Sequence, residues 1–165
     1  MSMKFSAFNL KEELVNNLTK LGYNEPTKVQ EVVIPKALKG ENIIVSSATG
    51  SGKTHSFLVP IINNLDFNEK LEAIIIAPTR ELARQIYNFV NEFKQFYPSL
   101  IVKNFISGVD YSRDLKSMNN GANIIIATPG KLNSLLKDSS INLSTIKTLV
   151  LDEADEMLNM GFIED

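Results

Sequence analysis

Two short stretches carry residue types and spacings that can do chemistry. The first is Ser47-Ala48-Thr49-Gly50-Ser51-Gly52-Lys53-Thr54. Its glycines let successive backbone N–H groups turn toward an anion, and a helix starting at Lys53 adds its positive end. In such a loop Lys53 reaches the outer phosphates of a nucleotide and the Thr54 hydroxyl is placed to ligate Mg2+. The strict phosphate-loop pattern G-x-x-x-x-G-K-[ST] wants glycine where this chain has Ser47. A small residue follows the same path there if the position does not need positive φ. The second stretch is Asp152-Glu153-Ala154-Asp155, at the end of the apolar run 148–151. Asp152 can hold Mg2+, usually through water, and Glu153 can polarise an attacking water. Taken alone, the same four residues are also an ordinary acidic helix start, favoured by the macrodipole.

Both stretches need a scaffold that brings loops to one edge. From residue 43 on, short β-branched runs alternate with helical patterns. The runs at 43–46, 73–77, 100–106, 123–127 and 148–151 read as strands, and those at 53–64, 80–96, 111–119, 130–137 and about 153–160 as helices. Ala73-Ile74-Ile75-Ile76-Ala77 is apolar at every position, as buried parallel strands are. The alternation implies an α/β fold, a parallel sheet with helices on both faces, whose ligands bind at the carboxyl ends of the strands. Upstream, Asn9 is placed to cap a first helix in a box with Glu12, and Gly22 to stop it. Leu10, Leu14, Leu18 and Leu21 line one face of that helix, and Pro26-Thr27 opens a short second one, with Pro35 expected to force a break or a new start.

The bulk composition bounds the rest. The 165 residues, 44% hydrophobic, suffice for one domain with a core. There is no cysteine, which excludes disulfides and thiolate metal sites and suits the cytoplasm. The first residues lead into the charged stretch 9–13 and do not read as a signal peptide, and no run approaches the ~18–20 apolar residues of a membrane span. A net charge of −2 gives no overall electrostatic footprint for nucleic acid. Any such binding must rest on local residues. Phe89, Phe93 and Phe96 recur at helical spacing and read as core, and His55, the only histidine, reads as incidental.

With the glycine loop and the Asp-Glu strand end together, the chain resembles the first RecA-like domain of DEAD-box ATP-dependent RNA helicases, a branch of the P-loop NTPases. That family commonly has a small residue at the position of Ser47. The resemblance divides the chain into a Q-motif region, 1–40, and the RecA-like domain, 41–165. Gly22-Tyr23-Asn24-Glu25-Pro26-Thr27-Lys28-Val29-Gln30 is similar to the family's Q motif, with Phe5 as its upstream aromatic. It implies that Tyr23 stacks on adenine, that the Gln30 amide bonds the adenine edge, and that Thr27 belongs to the same nucleotide site. Thr49, Gly50, Ser51, Gly52, Lys53 and Thr54 complete that site. Pro78-Thr79-Arg80 resembles the PTRELA motif and Thr128-Pro129-Gly130 the TPGR motif, with Lys131 in place of arginine. Gly108-Val109 stands where the family has two glycines. These three loops imply contact with RNA phosphates, without sequence readout, and outward-facing threonine hydroxyls.

The resemblance further implies ATP and Mg2+ as cofactors, Lys53, Asp152 and Glu153 as catalytic groups, and Thr54 and Asp152 as metal ligands. The family's Ser-Ala-Thr strand, expected after Asp152–Asp155, and its second RecA-like domain with an arginine finger do not follow in the sequence given. The expectation is a truncated, monomeric fragment that binds nucleotide and scarcely hydrolyses it. Within a longer protein the same residues would serve a helicase that unwinds short RNA duplexes, or alternatively an ATP-gated RNA clamp in which hydrolysis serves release.

Overall fold

The computed structural model describes residues 3–68 and 70–162. The chain forms two compact units, one running to Leu65 and the other starting at Asp66. The phosphate loop shares the first unit with residues 3–40.

The first unit is helical. A 3-10 turn, Phe5–Phe8, buries both phenylalanines, which meet edge to face at 6.0 Å. Helix α1 (Glu12–Lys20) buries Leu14 and Leu18. Asn9 does not cap it. Asn9 takes the left-handed conformation (φ 59°) that closes the 3-10 turn, a conformation asparagine tolerates better than most residues. The N-cap position falls to Lys11, whose N–H is donated to Asn63 Oδ1 at 2.8 Å. Gly22 (φ 90°) does end the helix, with the Tyr23 N–H returning to the Leu18 carbonyl. Helix α2 (Lys28–Leu38) starts at Thr27 as expected, but Pro35 lies inside it without breaking it. Proline removes one N–H bond, and the helix continues for only three residues afterwards. Helix α3 (Lys53–Asn64) packs against α2 and is buried along most of its length.

The expected strand at 43–46 does not form a ladder among the described residues. β-branched composition favours a strand, but a strand also needs a hydrogen-bonded neighbour. Ile44 is accordingly fully exposed.

The second unit holds a four-stranded parallel sheet. Its elements are β1 (Ala73–Ile76), α4 (Arg80–Glu92), β2 (Val102–Phe105), α5 (Tyr111–Met118), β3 (Ile124–Ala127), α6 (Pro129–Lys137), β4 (Thr148–Leu151) and α7 (Ala154–Asn159). The strand order is β2-β3-β1-β4. On one face Ile74, Phe105, Ile125 and Ala127 pack with Leu132 and Leu135 of α6, and Tyr111 and Leu115 of α5 adjoin them. Ala73, Ile75, Ile124 and Ile126 alternate to the other face, and α4, which buries Ala83, Ile86 and Val90, contacts β2 and β3. Phe93 is buried, and Phe89 and Phe96 are half-buried. No helix among the described residues is long and apolar enough to cross a membrane.

Candidate functional site

In the first unit, Gly50 and Gly52 adopt φ of 79° and 89°, and Ser47 stays out of the left-handed region. The small-residue reading of Ser47 therefore matches its backbone. Its hydroxyl lies 2.8 Å from that of Ser51, a contact an alanine could not make. Lys53 and Thr54 open α3 and are half-buried.

The structure brings the Q-motif residues onto this loop. Gln30 is buried, and both ends of its amide are engaged. Oε1 accepts from the Thr27 N–H at 3.0 Å, and Nε2 donates to the Gly52 carbonyl at 3.0 Å. The same carbonyl accepts the Ser56 N–H of α3. Each engaged end keeps one further N–H or lone pair for a ligand. Thr27 packs as closely: a Cβ on Gly52 would stand 2.8 Å from its Oγ1 and 2.6 Å from Gln30 Nε2.

His55 is the residue that sequence reasoning passed over. It is buried, and its ring centroid lies 4.4 Å from that of Tyr23, tilted by 46°. Burial lowers its pKa from 6.5 to about 4, so the ring beside Tyr23 is neutral at ordinary pH. Its one sequence signal is its place two residues into α3, but only the fold brings it to Tyr23.

In the second unit the ladder register aligns the strand ends. Ile76 faces both Ala127 and Leu151, and Phe105 faces Ala127. Pro78-Thr79-Arg80, Gly108, Thr128-Pro129-Gly130 and Asp152-Glu153 thus follow the carboxyl ends of β1, β2, β3 and β4. Arg80 and Gly108 meet directly, since a Cβ on Gly108 would lie 3.0 Å from Arg80 Nη1. Arg80, Gly108 and Gly130 are exposed, whereas Pro78, Thr128 and Pro129 are buried. The expectation of outward threonine hydroxyls needs correction. Thr79 Oγ1 accepts from the Leu82 N–H and so caps α4. Thr128 is 5% exposed, because its N–H completes the ladder to the Phe105 carbonyl and draws the residue into the sheet.

Asp152 continues the ladder, its N–H donated to the Ile76 carbonyl at 2.9 Å, and it is 7% exposed. Glu153 leaves the sheet in the left-handed conformation (φ 51°, ψ 51°) and is exposed. A glutamate there is strained, and such strain concentrates at functional sites. The turn separates the two carboxylates, one buried and one in solvent.

Taken separately, the two candidate metal ligands offer hard oxygens, the Thr54 hydroxyl and the Asp152 carboxylate. No group of three or more His, Cys, Asp or Glu gathers among the described residues. Mg2+ takes few protein ligands and keeps several waters, so each oxygen on its own is of the type that suits it.

The chain belongs to the DEAD/DEAH box helicase family, whose sequence profile matches residues 27–165. It is similar to the DEAD-box ATP-dependent RNA helicase CshB of Listeria monocytogenes, 43% identical over 98% of this chain and 38% of that protein. The ATP-dependent RNA helicase CshA of Limosilactobacillus reuteri is also 43% identical, over 99% of this chain and 33% of its own length. Among solved structures, a DEAD box protein from the hyperthermophile Methanococcus jannaschii superposes with a TM-score of 0.90 at 38% identity. That match covers 98% of this chain and 44% of the other. The chain thus spans less than half the length of these relatives.

Proposed function

We propose that these residues form the ATP-binding half of an ATP-dependent RNA helicase. The observation that carries the reading is the Gln30 amide joining Thr27 to the Gly52 carbonyl. It couples a residue suited to reading a purine edge to the loop suited to holding phosphates. Tyr23, beside the neutral His55 ring, offers an aromatic face for adenine. Lys53 and the loop N–H groups from Thr49 to Thr54 bind and orient the phosphates. Thr54 and Asp152 are the residues that would hold Mg2+, which supplies neutralising charge at the phosphates. Glu153 accepts a proton from the attacking water. Arg80 and the exposed backbone at Gly108 and Gly130 hold RNA phosphates without reading bases. Hydrolysis at working rates requires an arginine from a second RecA-like domain, worth roughly 10³–10⁵ in turnover.

Glu153→Gln in the intact protein tests the assignment. ATP hydrolysis should fall by about 10²–10⁴, the usual contribution of a general base, with ATP still bound. A helicase variant of this kind stays trapped on RNA and stops unwinding, whereas a pure clamp stays bound and keeps its function. Undiminished hydrolysis would falsify the role given to Glu153.

A further inference from the structure

The second unit departs from the family pattern at Val109 and at Lys131, and the fold joins the two departures. Lys131 Nζ donates to the Val109 carbonyl oxygen and to Asp114 Oδ2, both at 2.6 Å. The ammonium also lies 5.6 Å from the centroid of the Tyr111 ring. Its side chain is 12% exposed and that of Asp114 6%. An ammonium so far withdrawn from water, and already neutralised, is a poor partner for a phosphate. Reaching one would strand a buried carboxylate.

What the ammonium does hold is the loop between β2 and α5. Val109 lies in that loop, Asp114 in the first turn of α5 and Lys131 at the start of α6. Further contacts fix the same elements. Asp110 caps α5 by accepting the Ser112 N–H, and the Tyr111 hydroxyl bonds the Ser134 carbonyl and the Asp138 carboxylate. Gly108, next to Val109, is the residue against which the Arg80 guanidinium rests.

We propose that Lys131 is an internal strut, a positioning residue that fixes the Gly108-Val109 backbone, and through it Arg80, for nucleic-acid phosphate without itself touching RNA. The proposal rests on the RNA-binding reading above. It implies that the lysine is matched to Val109 and Asp114 rather than being a weaker copy of a phosphate-binding arginine.

The test uses the intact protein and a labelled oligouridylate, titrated over a range of salt with a non-hydrolysable ATP analogue. Lys131→Met and Asp114→Asn should each weaken binding roughly tenfold with an unchanged salt slope, and the double variant should be no worse than the worse single. Lys131→Arg, which keeps a cation for Asp114, should recover part of the loss. A direct phosphate contact predicts a different outcome: the slope falls by about 0.7 for Lys131→Met, and Asp114→Asn leaves binding intact or tighter. That result overturns the strut. A second readout needs no RNA: amides 107–111 should exchange hydrogen faster in Lys131→Met, and unchanged protection overturns the proposal. If the wild type binds no oligouridylate at any salt, the RNA reading falls and the exchange result alone decides the strut. Should Lys131→Met fail to fold, Lys131→Met combined with Asp114→Leu removes both charges together, and the same two readouts apply.

Discussion

Gly52 is a glycine for two independent reasons. Its φ of 89° is left-handed, which costs an L-residue roughly 1–2 kcal/mol, and its Cα faces Gln30 and Thr27 too closely for a Cβ. Gly52→Ala should therefore push the Gln30 amide off the loop. We expect ATP binding at least about tenfold weaker, the equivalent of 1.4 kcal/mol, by calorimetric titration. An unchanged Kd would mean that the Gln30 bridge is not needed for binding. His55 carries a different consequence, in pH. Its folded pKa of about 4 lies below the ordinary 6.5. The unfolded chain therefore takes up a proton between those values that the folded chain refuses. Its contribution to stability is present above pH 6.5 and is lost as pH falls toward 4, to a total of about 3 kcal/mol at 1.36 kcal/mol per pKa unit. Urea midpoints of the nucleotide-free protein at neutral and acid pH should show this slope, and His55→Gln should flatten it. A ring proton attributable to His55 that titrates near 6.5 would contradict the burial.

At the scale of elements, the sequence is legible where a local cause is sufficient. The strands at 73–77, 123–127 and 148–151 are found within a residue or so at Ala73–Ile76, Ile124–Ala127 and Thr148–Leu151. Their apolar runs are bounded by Pro78, Thr128 and Asp152, which open a bend, cap a helix and start a turn respectively. Helices α3 to α6 are equally visible, from their amphipathic spacing and from the threonine, aspartate or glycine before them. Where a partner decides, the sequence is mute. The run at 43–46 has strand composition, but no ladder forms on it among the described residues. Asn9 has the chemistry for both a cap and a left-handed turn, and the turn after Phe8 takes it. Pro35 obeys its local rule, losing one N–H bond, but α2 carries on regardless. In the site, the phosphate loop and the Asp-Glu turn were legible because each motif is contiguous. The Lys131–Asp114 and Tyr23–His55 pairs join residues 17 and 32 positions apart on different elements. No periodicity connects such residues.

At the largest scale, the net charge of −2 over these 165 residues supplies no broad basic field for RNA. At the aligned strand ends of the second unit, the exposed candidates for RNA contact are Arg80, Gly108 and Gly130, and only the first carries charge. Lys131, the other cation of these loops, is committed to Asp114. On the proposed reading, binding by this unit rests on one guanidinium and on backbone N–H groups, which neutralise no phosphate. For single-stranded nucleic acid each neutralised phosphate adds about 0.7 to the log–log salt slope. Arg80→Met in the intact protein should accordingly lower that slope by about 0.7 and weaken binding by the same factor for every RNA sequence tried. Fluorescence titrations of several oligonucleotides over a salt series give both quantities. A loss confined to one sequence would turn Arg80 into a base reader, and an unchanged slope would place the phosphate contacts on other side chains.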